Sequence, residues 1–535
     1  MAKKEINETE KQFDDTPLCH EGHKKPVTRR DFLAQGAIAG GAYVMAPSLL
    51  AGLLGRSSEA HAAAVNCGQV TAGGLGIPFM CFDLAGGVSM SNANVIVGDQ
   101  AGDPTTFTDA GMIKYGLIPG DTTEDIRINN GLIDNQFGLP FHVQSGFRLG
   151  MLSKMSATTI ANTDGAVICA RSGNDTSNNP HNPMYGLYKF VNMAAGGAGA
   201  SMGELVNLIG SRDRDSGGRS IAPDSMIDLT QRPTKVSRPS DAMGVADAGR
   251  LGQILSDAND RSALLTTIQR MSHRKADALR EDAMALQDAM HRATFCSASD
   301  ARETFTRVGN PSLLDPRIDQ AITGGGGFTP LFSTAEADRG GSRNDIFAKT
   351  ASIMKLVVNG WAGAGTVEVG GYDYHNGTRT TGDTRDFEAG QAIGAALEYA
   401  ARMNQQLMVY VFSDGSVAGD RDGDADPNNG RIVWRGDNGG TAAVFMLVYN
   451  PPGRGGRVAM RQRQIGYARN SASVETNANA VANNVEGLAY SIVLNYMALH
   501  NMEGQFTNYF GTNILGSGAD LDQYIAFSNI RTALV

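Results

Sequence analysis

Cysteine is scarce in this chain, and basic residues are outnumbered by acidic ones. Five cysteines occur in 535 residues and no two stand as Cys-x-x-Cys, which excludes a structural zinc site built from paired thiolates. The formal net charge is −9, and no Lys/Arg run is interleaved with aromatics, so the electrostatic footprint of a nucleic-acid binder is missing. The one candidate for a membrane span, residues 37–54, is rich in Gly and Ala and broken by Pro47, and is hardly long enough to cross a bilayer. What remains is the composition of an ordinary soluble globular protein, 41% hydrophobic and 19% charged. The length suffices for one very large core or for two or three lobes. Glycine is abundant, 66 in all, and clusters at strand ends and loops, which suits a loop-rich α/β protein better than a helical bundle.

The N-terminus carries Thr28-Arg29-Arg30-Asp31-Phe32-Leu33, the weakly hydrophobic stretch, and then Ala60-His61-Ala62. This is the pattern of a twin-arginine signal with a small-x-small cleavage site. It predicts removal of 1–62, folded passage through the twin-arginine export machinery, and a periplasmic or extracellular mature chain, 63–535, without a stable membrane span. Cys67 follows the site, but Val65-Asn66 before it makes a poor lipoprotein signal. Cys67, Cys81, Cys169 and Cys296 survive cleavage. In an oxidising compartment they allow up to two disulfides in three pairings, among which sequence does not choose.

Along the mature chain, apolar runs alternate with helical periodicity. Phe79-Met80-Cys81-Phe82 reads as a buried strand that ends at Asp83 and turns through Gly86-Gly87, with Ser89 and Ser91 on the exit. Residues 165–170 form a second strand. It empties into a polar loop holding Arg171, Asp175 and His181, a loop type that tends to carry binding residues. Leu251, Ile254, Leu255, Leu264, Leu265 and Ile268 recur at helical spacing, which predicts a helical insertion over 242–307. There His273 and His291 read as solvated surface histidines. A helix over 344–360 leads into a β-favouring run ending in Gly370-Gly371-Tyr372-Asp373-Tyr374-His375. Another helix from Phe387 precedes Leu407-Met408-Val409-Tyr410-Val411-Phe412 and then Ser413-Asp414-Gly415. Helix–strand alternation of this kind predicts a mostly parallel, doubly wound α/β sheet. Residues 442–449 add a further buried strand, and 485–500 a final core helix ending at His500.

In such a sheet the carboxyl ends of the strands share one edge, where ligands bind. Asp83, the Asp175 loop, Asp373 with His375, and Asp414 are expected there, with Asp437, in the loop before the next strand, as a fifth candidate. Asp373-x-His375 reads either as a turn cap or as a metal hook, since carboxylate oxygen and imidazole nitrogen are both ordinary ligands of zinc-like ions. Like charges gathered together favour a cation. Separately, Asp420, Asp422, Asp424 and Asp426 alternate as calcium ligands do. However, Ala425 stands where such a loop needs glycine and Arg431 where it needs glutamate. A solvated acidic loop is therefore expected, with calcium as the alternative.

The twin-arginine segment, Asp83-Leu84-Ala85-Gly86-Gly87, Gly370 to His375, Ser413-Asp414-Gly415 and Gly436-Asp437-Asn438-Gly439 occur in an order that resembles an exported family of unknown function related to the alkaline phosphatase and sulfatase superfamily. The resemblance implies an alkaline-phosphatase-like core and divalent metal at the strand ends, with no nucleotide cofactor. It further implies cleavage of phosphate or, less in keeping, sulfate esters of small molecules or polymers. It places Asp83, Asp373, His375 and Asp437 as metal ligands; a further ligand would have to come from His181, and for a hydrolase the nucleophile would be Ser89, Ser91 or a bound water. Arg171, Asp175 and Asp414 fall on the substrate side. The chain departs from the family in having Asn438 where an imidazole is usual and no arginine after Ser413-Asp414-Gly415. No cysteine carries the sulfatase signature. Two functions are therefore expected: a metal-dependent phosphoric-ester hydrolase, or a binding or envelope-assembly protein that kept the scaffold without the chemistry.

Overall fold

The computed structural model describes residues 74–91, 94–172, 181–197, 201–211, 222–228, 231, 233–246, 311–338, 345–372, 375, 377, 379–420 and 432–534. The signal segment 1–62, Cys67, Cys296, Asp175, Asp373, Asp422, Asp424, Asp426 and the insertion beyond residue 246 lie outside the described residues. Among the described residues no helix is long and apolar enough to cross a membrane.

Eight strands form the central sheet: β1 Phe79–Leu84, β2 Thr163–Ile168, β3 Val206–Gly210, β4 Thr234–Lys235, β5 Ala362–Val369, β6 Leu407–Ser413, β9 Val444–Tyr449 and β10 Gln464–Ile465. Between β6 and β9 lie the short β7, Val417–Gly419, and β8, Trp434–Asp437, paired with each other in a separate ribbon. The order across the sheet is β10-β2-β9-β6-β1-β5-β3-β4. Only β9 runs against its neighbours; all other pairings are parallel. The mostly parallel α/β sheet expected from the alternation of elements is present, with the antiparallel strand inserted between β2 and β6.

Strand alternation distributes the core on two faces. Phe79 and Cys81 of β1 point to a layer with helices α2, Met184–Ala194, and α5, Val485–Leu499. Met80, Phe82 and Leu84 point to the other layer, with α1 Gly146–Leu152, α3 Ile346–Val358 and α4 Arg379–Arg402. Every residue of β1, β5, β6 and β9 is buried, as a sheet covered on both faces requires. Cys81 and Cys169 are buried free thiols, so the pairings that use either as a disulfide partner are not formed. Burial raises both thiols well above the usual range, which keeps them protonated and unreactive.

Helix α4 starts at Arg379, well before the apolar stripe that begins at Phe387. Its first turns are held by polar contacts that hydrophobic periodicity does not register. The Arg379 guanidinium lies over the Trp434 ring at 6.0 Å and donates to the Ile432 carbonyl at 3.3 Å. Asp386 accepts from Asn94 at 2.8 Å. Farther along, α4 crosses α1 at glycines from both helices. A Cβ on Gly390 would lie 2.3 Å from the Phe147 carbonyl oxygen, and one on Gly150 the same distance from the Phe387 carbonyl. Neither backbone can yield without moving its helix.

This crossing sets a sign. Alanine is better than glycine inside a helix by about 1 kcal/mol, whereas overpacking a core costs about 1–3 kcal/mol. Gly390→Ala is therefore expected to lower the unfolding free energy of the mature chain by roughly 1 kcal/mol, the middle of the difference between these two effects, read from the urea midpoint. An unchanged or raised midpoint would mean that the helices are free to part.

A second expectation comes from His500, the cap residue of α5. Its Nε2 accepts from the Ile77 amide at 3.1 Å, and Nδ1–H donates to the Tyr496 carbonyl at 2.8 Å. Burial lowers its pKa to about 4. The unfolded chain takes up this proton below its ordinary value of 6.5, while the native state refuses it until near 4. Stability from this group is thus full above pH 6.5 and drains away as the pH falls toward 4, by roughly 3 kcal/mol in all. Denaturant midpoints between pH 7 and 4 should fall less steeply in His500→Gln than in the wild type.

Candidate functional site

The carboxyl ends of β1, β5 and β6 meet in the middle of the sheet. Asp83 stands opposite Glu368 of β5 on one side and Phe412 of β6 on the other. Beyond Leu84 the chain turns sharply through Gly86 at φ +118° and Gly87 at φ +98°, conformations that favour glycine. The turn is clasped by the end of β6. The Ser413 hydroxyl donates to the Leu84 carbonyl at 2.7 Å and accepts from the Val88 amide at 3.2 Å. Asp414 Oδ1 accepts from the Gly86 amide at 2.9 Å. Asp83 and Asp414 are both buried, 5% and 3% exposed, so these carboxylates form a floor and not a surface patch.

From this floor the contacts climb to an open lip. The Ser416 carbonyl accepts from the Asn438 amide at 2.8 Å, and the Ser416 hydroxyl meets that of Thr441 at 3.2 Å. Val417 of β7 pairs with Asp437 of β8, so Asp437 ends a strand and is not the loop residue that the sequence suggests. Its Oδ1 lies 2.5 Å from His375 Nδ1. The Gly377 amide donates to the Trp434 carbonyl at 2.7 Å, which ties the His375 segment to the same ribbon. The His375 and Asp437 side chains are 24% and 52% exposed, so this pair is within reach of a ligand arriving from solvent.

On the α2/α5 face the floor is backed by buried polar groups. The His181 ring stacks on Phe412 at 5.7 Å and 11°. Next to it, Asn182 donates to Thr366 Oγ1 at 3.0 Å, and Thr366 Oγ1 also meets the Cys81 thiol at 3.0 Å. Glu368 is 2% exposed and is reached by Lys349 of α3, whose Nζ donates to its carbonyl at 3.1 Å and lies 3.6 Å from its carboxylate. Glu368, Lys349 and Tyr410 belong to this neighbourhood but escape sequence reasoning. Glu368 was legible only as a carboxylate inside a β-favouring run, and Tyr410 as one more apolar residue of a continuous strand.

Asp83, Asp414, His181, His375 and Asp437 thus fall along one connected edge. The two serines are placed differently from their expected role. Ser89 and Ser91 are 0% and 1% exposed. The Ser91 hydroxyl donates to the Thr441 carbonyl, and the Ser89 carbonyl accepts from Asn94 at 3.0 Å. Neither serine side chain opens to solvent. Arg171, at the end of β2, is exposed beside Asn483, two strands away from β6. Asp420 is exposed, and its three companions lie outside the described residues. Among the described residues no three His, Cys, Asp or Glu side chains stand together as one metal shell; the described donors are spread along the edge.

No protein-family model, no curated protein and no solved structure matches this chain.

The burial of Ser91 makes a structural role measurable. Its loss would leave the Thr441 carbonyl short of a donor in the interior, at a cost of about 1–2 kcal/mol. Ser91→Ala is expected to lower the urea midpoint accordingly; wild-type stability would free Ser91 for chemistry.

Proposed function

We propose that this edge is the site of a metal-dependent hydrolase of phosphate-type esters, built on an alkaline-phosphatase-like core and exported folded by the twin-arginine route. The observation that carries the reading is the convergence itself. Asp83, His375, Asp414 and Asp437 come from four separate parts of the chain and are linked along one edge by the contacts between the ends of β1, β6 and β8 and by the His375–Asp437 pair. The donor set also fits a divalent cation in kind, because it combines hard carboxylate oxygens with imidazole nitrogens. The ligands of such a cation would be drawn from Asp83, Asp414, His375, Asp437 and His181. When bound, the cation would polarise the ester and sharpen a nucleophile. The chain's own part is to fix those donors: the glycine turn and the Ser413 hydroxyl hold the Asp83 and Asp414 segments together, and Asp437 orients the His375 ring. Phosphate is preferred to sulfate because no cysteine lies in a sulfatase signature.

A second reading, a binding or envelope-assembly protein without catalysis, draws support from the burial of both Ser89 and Ser91. The two separate experimentally. For the hydrolase, elemental analysis of the mature protein should find a stoichiometric divalent metal, and an aryl phosphate should be cleaved. Asp83→Asn and Asp414→Asn should each weaken metal retention by more than about 100-fold, since even residues behind a metal's direct ligands cost 10- to 100-fold. Metal-free protein, together with wild-type behaviour of Asp373→Ala and His375→Ala, would establish the binding reading instead.

A further inference from the structure

One group beneath the floor has no task in the fold. Tyr410 of β6 is completely buried, and its hydroxyl has no hydrogen-bond partner among the described residues. A buried hydroxyl left so costs about 1–3 kcal/mol, whereas phenylalanine would fill the same space at no such cost. Its neighbours point to a reason. Tyr410 stands opposite Cys81 in the β1–β6 register, on the sheet face that also carries Asp83, and the Cys81 and Asp83 side chains are close enough to act on its acidity. Burial, the larger effect, keeps the phenol protonated, so it is a standing donor. Cys81 is engaged by Thr366, and so is Asn182. The ring is held in a stack, Tyr410 on Phe412 at 5.1 Å and Phe412 on His181, which fixes the direction of its hydroxyl.

We propose that the Tyr410 hydroxyl is a ligand-binding donor of this site, placed to give its proton in a hydrogen bond to a non-bridging oxygen of a phosphate-type oxyanion held beside Asp83. The inference rests on the hydrolase reading. It assigns that site an acceptor-rich ligand, because a tetrahedral oxyanion offers several acceptor oxygens and a protonated phenol in a dry setting is a strong partner for one.

Tyr410→Phe removes this one atom. The test uses the full mature protein, loaded with its divalent metal and titrated with inorganic phosphate, together with thermal unfolding and titration with the metal alone. The expected result is a variant that melts at or above the wild-type temperature, binds the metal equally well, and binds phosphate roughly 10- to 100-fold more weakly, the range set by a hydrogen bond to a charged group. Equal phosphate affinity would overturn the assignment while leaving the hydrolase reading intact. So would a lowered melting temperature, which would mean the hydroxyl is satisfied within the protein, or a weakened affinity for the metal alone. A wild-type protein that binds neither metal nor phosphate would remove the reading and this inference together.

Discussion

The structure turns on the clasp between the ends of β1 and β6. One serine hydroxyl, that of Ser413, closes a bridge between the last carbonyl of β1 and the amide of Val88 just beyond it, and the next residue, Asp414, takes the Gly86 amide between them. Turns that reverse so abruptly expose amides that must be satisfied when buried. Here they are satisfied by side chains from the neighbouring strand. The consequence is that the acid at the end of β1 and the acid after β6 have no independent freedom of position. Everything placed above them, including the β7–β8 ribbon, inherits that geometry.

The strands and the order of the chemistry were legible from residue pattern because both obey simple periodicities. A run such as Leu407 to Phe412 admits few alternatives, and an acid directly after it falls at the sheet edge by construction. What the pattern could not carry is partner choice. Ser91 and Ser413 look alike as small hydroxyls near glycines, yet one is committed to a carbonyl 350 residues away and the other braces the turn. Residues 434–437 gave no strand signal, because β8 owes its pairing to β7 and not to its own sequence. The start of α4 was hidden for a related reason: Arg379 and Asp386 are buried by polar contacts, where hydropathy predicts exposure. Cys81 and Cys169 show a related limit: both fall on strands that the pattern marks, but counting cysteines does not reveal that each stays a free thiol.

The site divides by environment as well as by residue. The Asp83 and Asp414 carboxylates are withdrawn from water among other buried polar groups, where a charge acts more strongly than at the surface. The His375–Asp437 pair lies at the boundary with water and is screened.

The two outer strands of the sheet, β4 and β10, are only two residues long. Backbone amides and carbonyls left open at a sheet margin can recruit foreign chains, and shortening the outermost strand is one way to deny them a template. Among the described residues, eight-stranded breadth is therefore combined with outer strands too brief to serve as a template for another chain.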